Sequence, residues 1–369
     1  MQQSELMREG EHMMTVCNAC RYCEGFCAVW PAMEFRRKFA EGDLTYLANL
    51  CHNCSECYYA CQYAPPHEWE VNPPQTFAKI RAQSYEQYAW PKPLASAFRA
   101  NALVVSLAVA LMLVIFLFGA TQALGGKSLA TAIPRGDFYK ITSHETLVLA
   151  FGAAGLFATL ALLIGLVRFW RGTGEQVSDL TNLPALATAI KDVLALKYLD
   201  DSGWGCAYPS EKSSQSRRWF HHFTFYGFLL CFAATTLGAI YYYGFGWKGP
   251  YGYFSLPVVL GTLGGIGLLI GPSGLYFLKL GRNREITDEK QCGMDVAFLV
   301  MLLLTSASGL LLLVLRETAA MSSLLVIHLG VVMALFLTLP YGKFVHGVYR
   351  CAALLKYALE RARKQTLGV

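Results

Sequence analysis

Charge is what this sequence has least of. Asp, Glu, Lys and Arg make up 15% of the 369 residues against 54% hydrophobic ones, which is too little polar surface to cover a single water-soluble globule of this size. No block of Lys and Arg forms the basic patch that nucleic acid requires, so a nucleic-acid partner is not expected. A Gly-rich fingerprint between a strand and a helix is also missing, which argues against a tightly bound flavin or nicotinamide in this chain. The opening MQQSELMREGEH is polar and acidic and has no apolar h-region. No cleavable secretory leader is therefore expected, and a disulfide framework is disfavoured for the cysteines that follow.

The missing charge is concentrated in absence rather than spread thinly. Six stretches carry none at all: Asn101–Ala120, Thr146–Val167, Trp219–Tyr243, Tyr253–Leu278, Val296–Leu315 and Ser323–Tyr341. Each approaches the ~20 apolar residues that a helix needs to cross a bilayer. Of the 31 Lys and Arg residues, 26 fall before the first stretch, in the 2–3 and 4–5 connections or after the sixth. The positive-inside rule then puts both termini in the cytoplasm and the chain in a bacterial-type inner membrane. The net charge of +6 is read as a signal of this topology rather than of an anionic ligand. The expected fold is all-α: an N-terminal helical ferredoxin-like domain (1–95), a six-helix transmembrane bundle (96–350) with a long cytoplasmic loop at 168–218, and a basic cytoplasmic tail (351–369). Within that loop Leu183, Leu186, Ala187, Ile190 and Leu194 have helical apolar spacing, suited to the membrane surface or to the N-terminal domain.

Twelve cysteines stand out against this background, and eight of them precede residue 62. Cys17-x2-Cys20-x2-Cys23-x3-Cys27 recurs as Cys51-x2-Cys54-x2-Cys57-x3-Cys61. Three thiolates at two-residue intervals wrap a cubane corner by corner, whereas tetrahedral zinc uses paired knuckles and has no use for the additional closely spaced thiols. Two [4Fe-4S] clusters are expected. In two-cluster repeats the fourth cysteine ligates the other cluster, which would give Cys17, Cys20, Cys23 and Cys61 to one and Cys51, Cys54, Cys57 and Cys27 to the other. His52, inside the second motif, is read as an exposed loop residue, and Cys206, Cys231, Cys292 and Cys351 as packing residues.

Histidines take up the theme at the span ends: His144, His221, His222, His328 and His346. An ionisable side chain at membrane depth is costly and points to function. On the expected topology His346 lies on the cytoplasmic side with His221 or His222, which makes a bis-histidine haem b site, and His144 can meet His328 at the outer side, so one haem or two are open. His328 and His346 are 18 residues apart, and on one continuous helix they would share a face about 27 Å apart. No motif marks a quinone site; Tyr241, Tyr242 and Tyr243 and the Gly261–Gly274 stretch are possible walls, or else an aromatic belt and close helix packing.

HLGVVMALFLTLPYGKFVH, from His328 to His346, resembles the last helix of the nitrate reductase gamma-subunit type of cytochrome b, in which two such histidines bind different haems. The FHH at Phe220–His222 resembles that family's other ligand helix, although the second histidine expected there is Cys231 or Phe232 in this sequence. As a whole, the double cysteine motif followed by six spans and RRWFHHFTFYGFLLCF resembles the tricarballylate/citrate-utilization protein B family. That resemblance implies an electron-transfer protein, serving an FAD-dependent tricarballylate dehydrogenase or similar flavoprotein and delivering to membrane quinone. Another respiratory dehydrogenase or a heterodisulfide-reductase-like complex is the alternative partner. A redox-sensing carboxylate transporter is a further alternative, disfavoured because every Lys and Arg lies outside the spans.

Overall fold

A computed structural model describes residues 4–123, 132–200, 203 and 205–367. It is helical nearly throughout. The N-terminal unit consists of α1 (Glu5–Cys20), α2 (Val29–Glu34), α3 (Glu41–Leu50), α4 (Glu56–Tyr59), α5 (Pro73–Tyr88) and α6 (Lys92–Ala100). Local chemistry sets these boundaries. The Ser4 hydroxyl accepts the Met7 N–H at 3.3 Å and opens α1, and Arg21 in the left-handed conformation (φ 55°) closes it by donating its N–H to Cys17 O. Asn72 accepts the Gln75 N–H at 3.2 Å to cap α5, with Pro73 in the first turn where its missing N–H costs nothing.

The spanning helices follow as α7 (Ala102–Ala123), α8 (His144–Gly172), then, after a connection holding α9 (Leu183–Leu194) and a hairpin of β1 (Cys206–Ala207) with β2 (Ser213–Ser214), α10 (Ser216–Phe245), α11 (Leu256–Leu280), α12 (Cys292–Val314) and α13 (Met321–Thr338). These six are long and apolar enough to cross a membrane, and they present large apolar side chains outward, including Phe116, Leu149 and Leu156, each more than 60% exposed. Surfaces of that kind require a lipid surround. α10 and α11 approach each other most closely through small residues. A Cβ on Gly227 would fall 2.9 Å from Gly264 O, and one on Gly271 would fall 2.6 Å from Thr224 N. The Gly261–Gly274 stretch therefore serves helix packing, and Tyr241 and Tyr242 are taken up by ring contacts with Tyr251, Trp247 and His144.

Two elements depart from the expectation. α13 does not run on to His346. It stops at Thr338, because Pro340 lacks an N–H and disfavours helical backbone at Leu339, and Thr338 O accepts the N–H groups of Tyr341 and Gly342 at 3.1 and 2.9 Å in a turn. His328 and His346 therefore stand on different helices. The last helix, α14 (Val345–Leu367), then absorbs the expected basic tail. Its Ala352, Ala353, Leu355 and Leu359 are buried in one core with Met14, Leu44, Leu47, Phe77 and Ile80 of the N-terminal unit. Tyr349 is 2% exposed and lies nearly parallel to Phe169 at 4.8 Å, a contact worth about 1 kcal/mol beyond its buried area. Lys356 is also buried, over the Tyr46 ring at 4.8 Å and 3.4 Å from Glu175. α9 meets this assembly, burying Ala185 and Ala189 against it. Its Leu183, Ile190 and Leu194 stay exposed.

Candidate metal centres

The two cysteine motifs wind through similar loops. Left-handed residues follow the first motif's second cysteine and flank the second motif's: Arg21 (φ 55°), Asn53 (φ 58°) and Ser55 (φ 71°). Such turns aim backbone N–H groups toward the sulfurs, and non-glycine residues adopt them at a cost of roughly 1–2 kcal/mol each. The Asn53 N–H donates to Cys51 Sγ and the Tyr63 N–H to Cys61 Sγ, both at 3.4 Å.

The structure gathers the thiols across the repeat. Cys17, Cys20, Cys23 and Cys61 line one cavity of about 230 Å³, which Cys57 also reaches. Cys27, Cys51, Cys54 and Cys57 line a second, tighter gap of about 10 Å³. Burial raises the Cys17 thiol pKa, and Cys23, Cys61 and Cys20 raise it further. Cys57 is raised by burial and by Cys51, Cys23, Cys27 and Cys17. Crowded buried thiols resist ionising together, and a multivalent cationic centre among them reverses that. Among the described residues no three His, Cys, Asp or Glu converge on one point that would hold a single ion. The thiols surround volumes instead, a donor set suited to a polynuclear iron–sulfur group.

The second motif is held by three guanidiniums from three different helices. Arg81 of α5 donates to Ala48 O at 3.1 Å and to Cys51 O, Arg350 of α14 also donates to Cys51 O, and Arg217 of α10 donates to Asn53 O at 2.7 Å. Two of these helices carry a histidine one turn away: His221 follows Arg217 by four residues and His346 precedes Arg350 by four, so each pair shares a helix face with a rise of about 6 Å.

The His221 and His346 rings lie close together, with centroids 6.4 Å apart and planes within 19°. Two metal–nitrogen bonds of about 2 Å, plus the distance from each nitrogen to its ring centre, span roughly 6 Å. The His346 Nδ1 sits 2.5 Å from Lys343 O. A carbonyl only accepts, so Nδ1 bears the proton and the Nε2 lone pair is left for a ligand. Two imidazoles at that separation would have the donor chemistry to hold a haem iron between them.

The other histidines are placed differently. His222 turns to Tyr226, its ring 5.7 Å away. His144 stacks on Tyr242 at 3.6 Å, while His328 bonds through Nδ1 to Ser308 Oγ at 2.9 Å. The structure does not bring His144 and His328 together, because each ring is taken by a neighbour on another helix. His52 is not an exposed loop residue: it is 3% exposed and lines the second gap. Burial lowers its pKa, opposed by a side-chain hydrogen bond with neighbouring Cys206. Sequence reasoning missed His52, Cys206 and the three arginines; only the Arg217-x3-His221 and His346-x3-Arg350 spacings offered a signal.

Known proteins supply the class of this centre. Residues 96–367 match the family described as Citrate utilization protein B, and residues 10–89 match the Citrate utilization protein B Fer4-like domain. The curated Citrate utilization protein B of Escherichia coli is 50% identical over 363 residues, covering 98% of this chain and 94% of that protein. The chain belongs to the citrate utilization protein B family. No solved structure matches it. The Fer4-like match spans all eight N-terminal cysteines, and with it the chain takes its place as a helical iron–sulfur protein with membrane-type spans and an electron-transfer role.

Proposed function

We propose that this chain carries electrons from the reduced FAD of a partner dehydrogenase, acting on tricarballylate or a related tricarboxylate, through two [4Fe-4S] clusters and a haem b to membrane quinone. One observation carries the reading: α10 and α14 each hold the second cysteine loop through an arginine and present a histidine one turn further along, the two histidine rings lying close together. Cys17, Cys20, Cys23 and Cys61 hold the first cluster, Cys51, Cys54, Cys57 and Cys27 the second, and His221 with His346 the haem. The clusters and haem supply one-electron carriers. The protein fixes their order: α10 and α14 are common to the second cysteine group and the histidine pair, so the two cannot shift independently. Lys343 O fixes the His346 tautomer, and the Asn53 and Tyr63 N–H groups stabilise charge on their cysteine sulfurs.

The Lys and Arg distribution supports cytoplasmic termini and an inner-membrane location, which puts the cysteine domain within reach of a soluble flavoprotein. The name of the Escherichia coli relative, citrate utilization, supports a tricarboxylate dehydrogenase as that partner. The purified protein's visible spectrum, oxidised and then dithionite-reduced, tests the cofactors, with a broad cluster band and sharp haem bands expected. His221→Ala and His346→Ala should each lose haem while His222→Ala keeps it. Full haem in His346→Ala sinks the assignment. Anaerobic reoxidation of reduced tricarballylate dehydrogenase by the protein tests the partner, and its failure removes that choice.

A further inference from the structure

Cys206 belongs to none of the eight-cysteine pattern, yet it is fully buried against Cys54. The β1–β2 hairpin brings it there. Its strands pair Cys206 with Ser214, and the turn into β1 depends on Gly205, whose φ is +95° and whose absent Cβ would lie 2.4 Å from Ser214 O. Three contacts seat the hairpin on the second cysteine loop. Ser213 Oγ donates to Glu56 Oε1 at 2.8 Å, Arg217 Nη1 donates to Asn53 O at 2.7 Å, and the Arg217 guanidinium covers the Tyr208 ring at 4.7 Å. A connection between two spans is thereby fixed over Cys54.

The thiol has three polar neighbours. Its Sγ lies 3.5 Å from Leu199 O, and the Cys54 sulfur and the His52 imidazole adjoin it. A cysteine bound to iron keeps thiolate charge, which makes it a stronger acceptor than a neutral carbonyl or a neutral imidazole. His52 lines the same gap as Cys27, Cys51, Cys54 and Cys57 and adjoins the Cys206 thiol.

Resting on the electron-transfer reading above, we propose that Cys206 is a positioning residue for the second cluster: its S–H donates a hydrogen bond to the Cys54 sulfur and raises the cluster's reduction potential. Hydrogen bonds to cluster sulfurs favour the reduced, more negative state. The second cluster then accepts electrons more readily, with the hairpin as the device that sets its potential.

The test is a redox titration followed by electron paramagnetic resonance, with iron counting, on the full-length detergent-solubilised protein and its Cys206→Ala and Cys206→Ser variants. The wild type should hold about eight irons, two cubanes' worth. Cys206→Ala should keep that iron, and one of its two midpoints should move negative. At fixed potential the reduced-to-oxidised ratio of that cluster should fall on the order of tenfold, the size expected for a hydrogen bond to a charged group, equivalent to about 59 mV for one electron. Cys206→Ser keeps a donor and should stay nearer the wild-type value. Where the alanine variant does not accumulate, Cys206→Val supplies a donor-free side chain of similar bulk. Unmoved midpoints with iron intact overturn the inference. So does loss of about half the iron in both variants, which would make Cys206 a ligand. A wild type without cubanes overturns the electron-transfer reading itself, and the inference with it.

Discussion

The α10–α11 contact allows a prediction worked from distances. In Gly271→Ala the new Cβ would stand 2.6 Å from Thr224 N and 2.8 Å from Phe220 O, where ordinary contact begins at 3.4 Å. Both atoms are backbone and cannot rotate away, so α10 must retreat by about 0.8 Å along that direction to restore normal contact. Overpacking of this kind typically costs 1–3 kcal/mol, and in a membrane no compensating hydrophobic gain is available, since lipid is as apolar as the helix face. Phe220 and Thr224 flank His221 on α10, so the retreat shifts that ring relative to His346. The expected outcome is a lower thermal midpoint of the detergent-solubilised protein and less haem per chain, with iron in the cysteine domain unchanged. Gly152→Ala is the control, because nothing lies within 4 Å of its Cβ position, and it should behave as wild type. A Gly271→Ala protein with wild-type melting and haem content would refute the packing argument, while altered melting with no haem in either protein would refute only the haem.

Arg81→Ala should cost about 3 kcal/mol, since it strips a buried guanidinium from Ala48 O and Cys51 O; iron release to a chelator should become biphasic, with one cluster's share leaving first, and monophasic wild-type kinetics would count against this. Lys356→Met should lower the thermal midpoint by leaving Glu175 with Arg363 alone, at 2.9 Å; removing one member of a buried ion pair costs on the order of 3 kcal/mol. Gly205→Ala should unseat the β1–β2 hairpin, because φ +95° and the close approach to Ser214 O both exclude a side chain, and alkylation of Cys206 by an iodoacetamide probe should rise from undetectable to ready.

What could be read from the sequence was whatever is written locally. The six spans are runs of consecutive residues, and the repeated cysteine spacing describes loops that close within a dozen positions, so neither needs a partner from elsewhere to be seen. His52 shows the limit. Its position in a short loop suggests exposure, whereas the fold buries it among N-terminal residues and beside Cys206, which follows the second span. Cys206 has no spacing relation to Cys54 at all; only the tertiary path brings the sulfurs together. α14 shows the same limit. Its Lys and Arg residues mark a basic cytoplasmic tail, and that its Ala352, Leu355 and Leu359 are buried with the N-terminal core is visible only in the fold. The turn at Pro340 was legible in principle, since proline ends helices by known chemistry.

The arginine and histidine spacings join these two kinds of information. Arg217 and His221 on α10, and His346 and Arg350 on α14, are mirror-image i, i+4 pairs, each arginine on the cysteine-loop side and each histidine one turn beyond it. Either pair alone is an ordinary helix-face neighbour relation. Together they make the connection between cysteine domain and membrane bundle rigid at one place, since a movement of either helix would break a contact to the second cysteine loop and misalign a histidine together. These contacts resist a swing of the cysteine domain at this point of the molecule. In the proposed electron path, the separation between the second cysteine group and the histidine pair would be set by a single helical turn on each side.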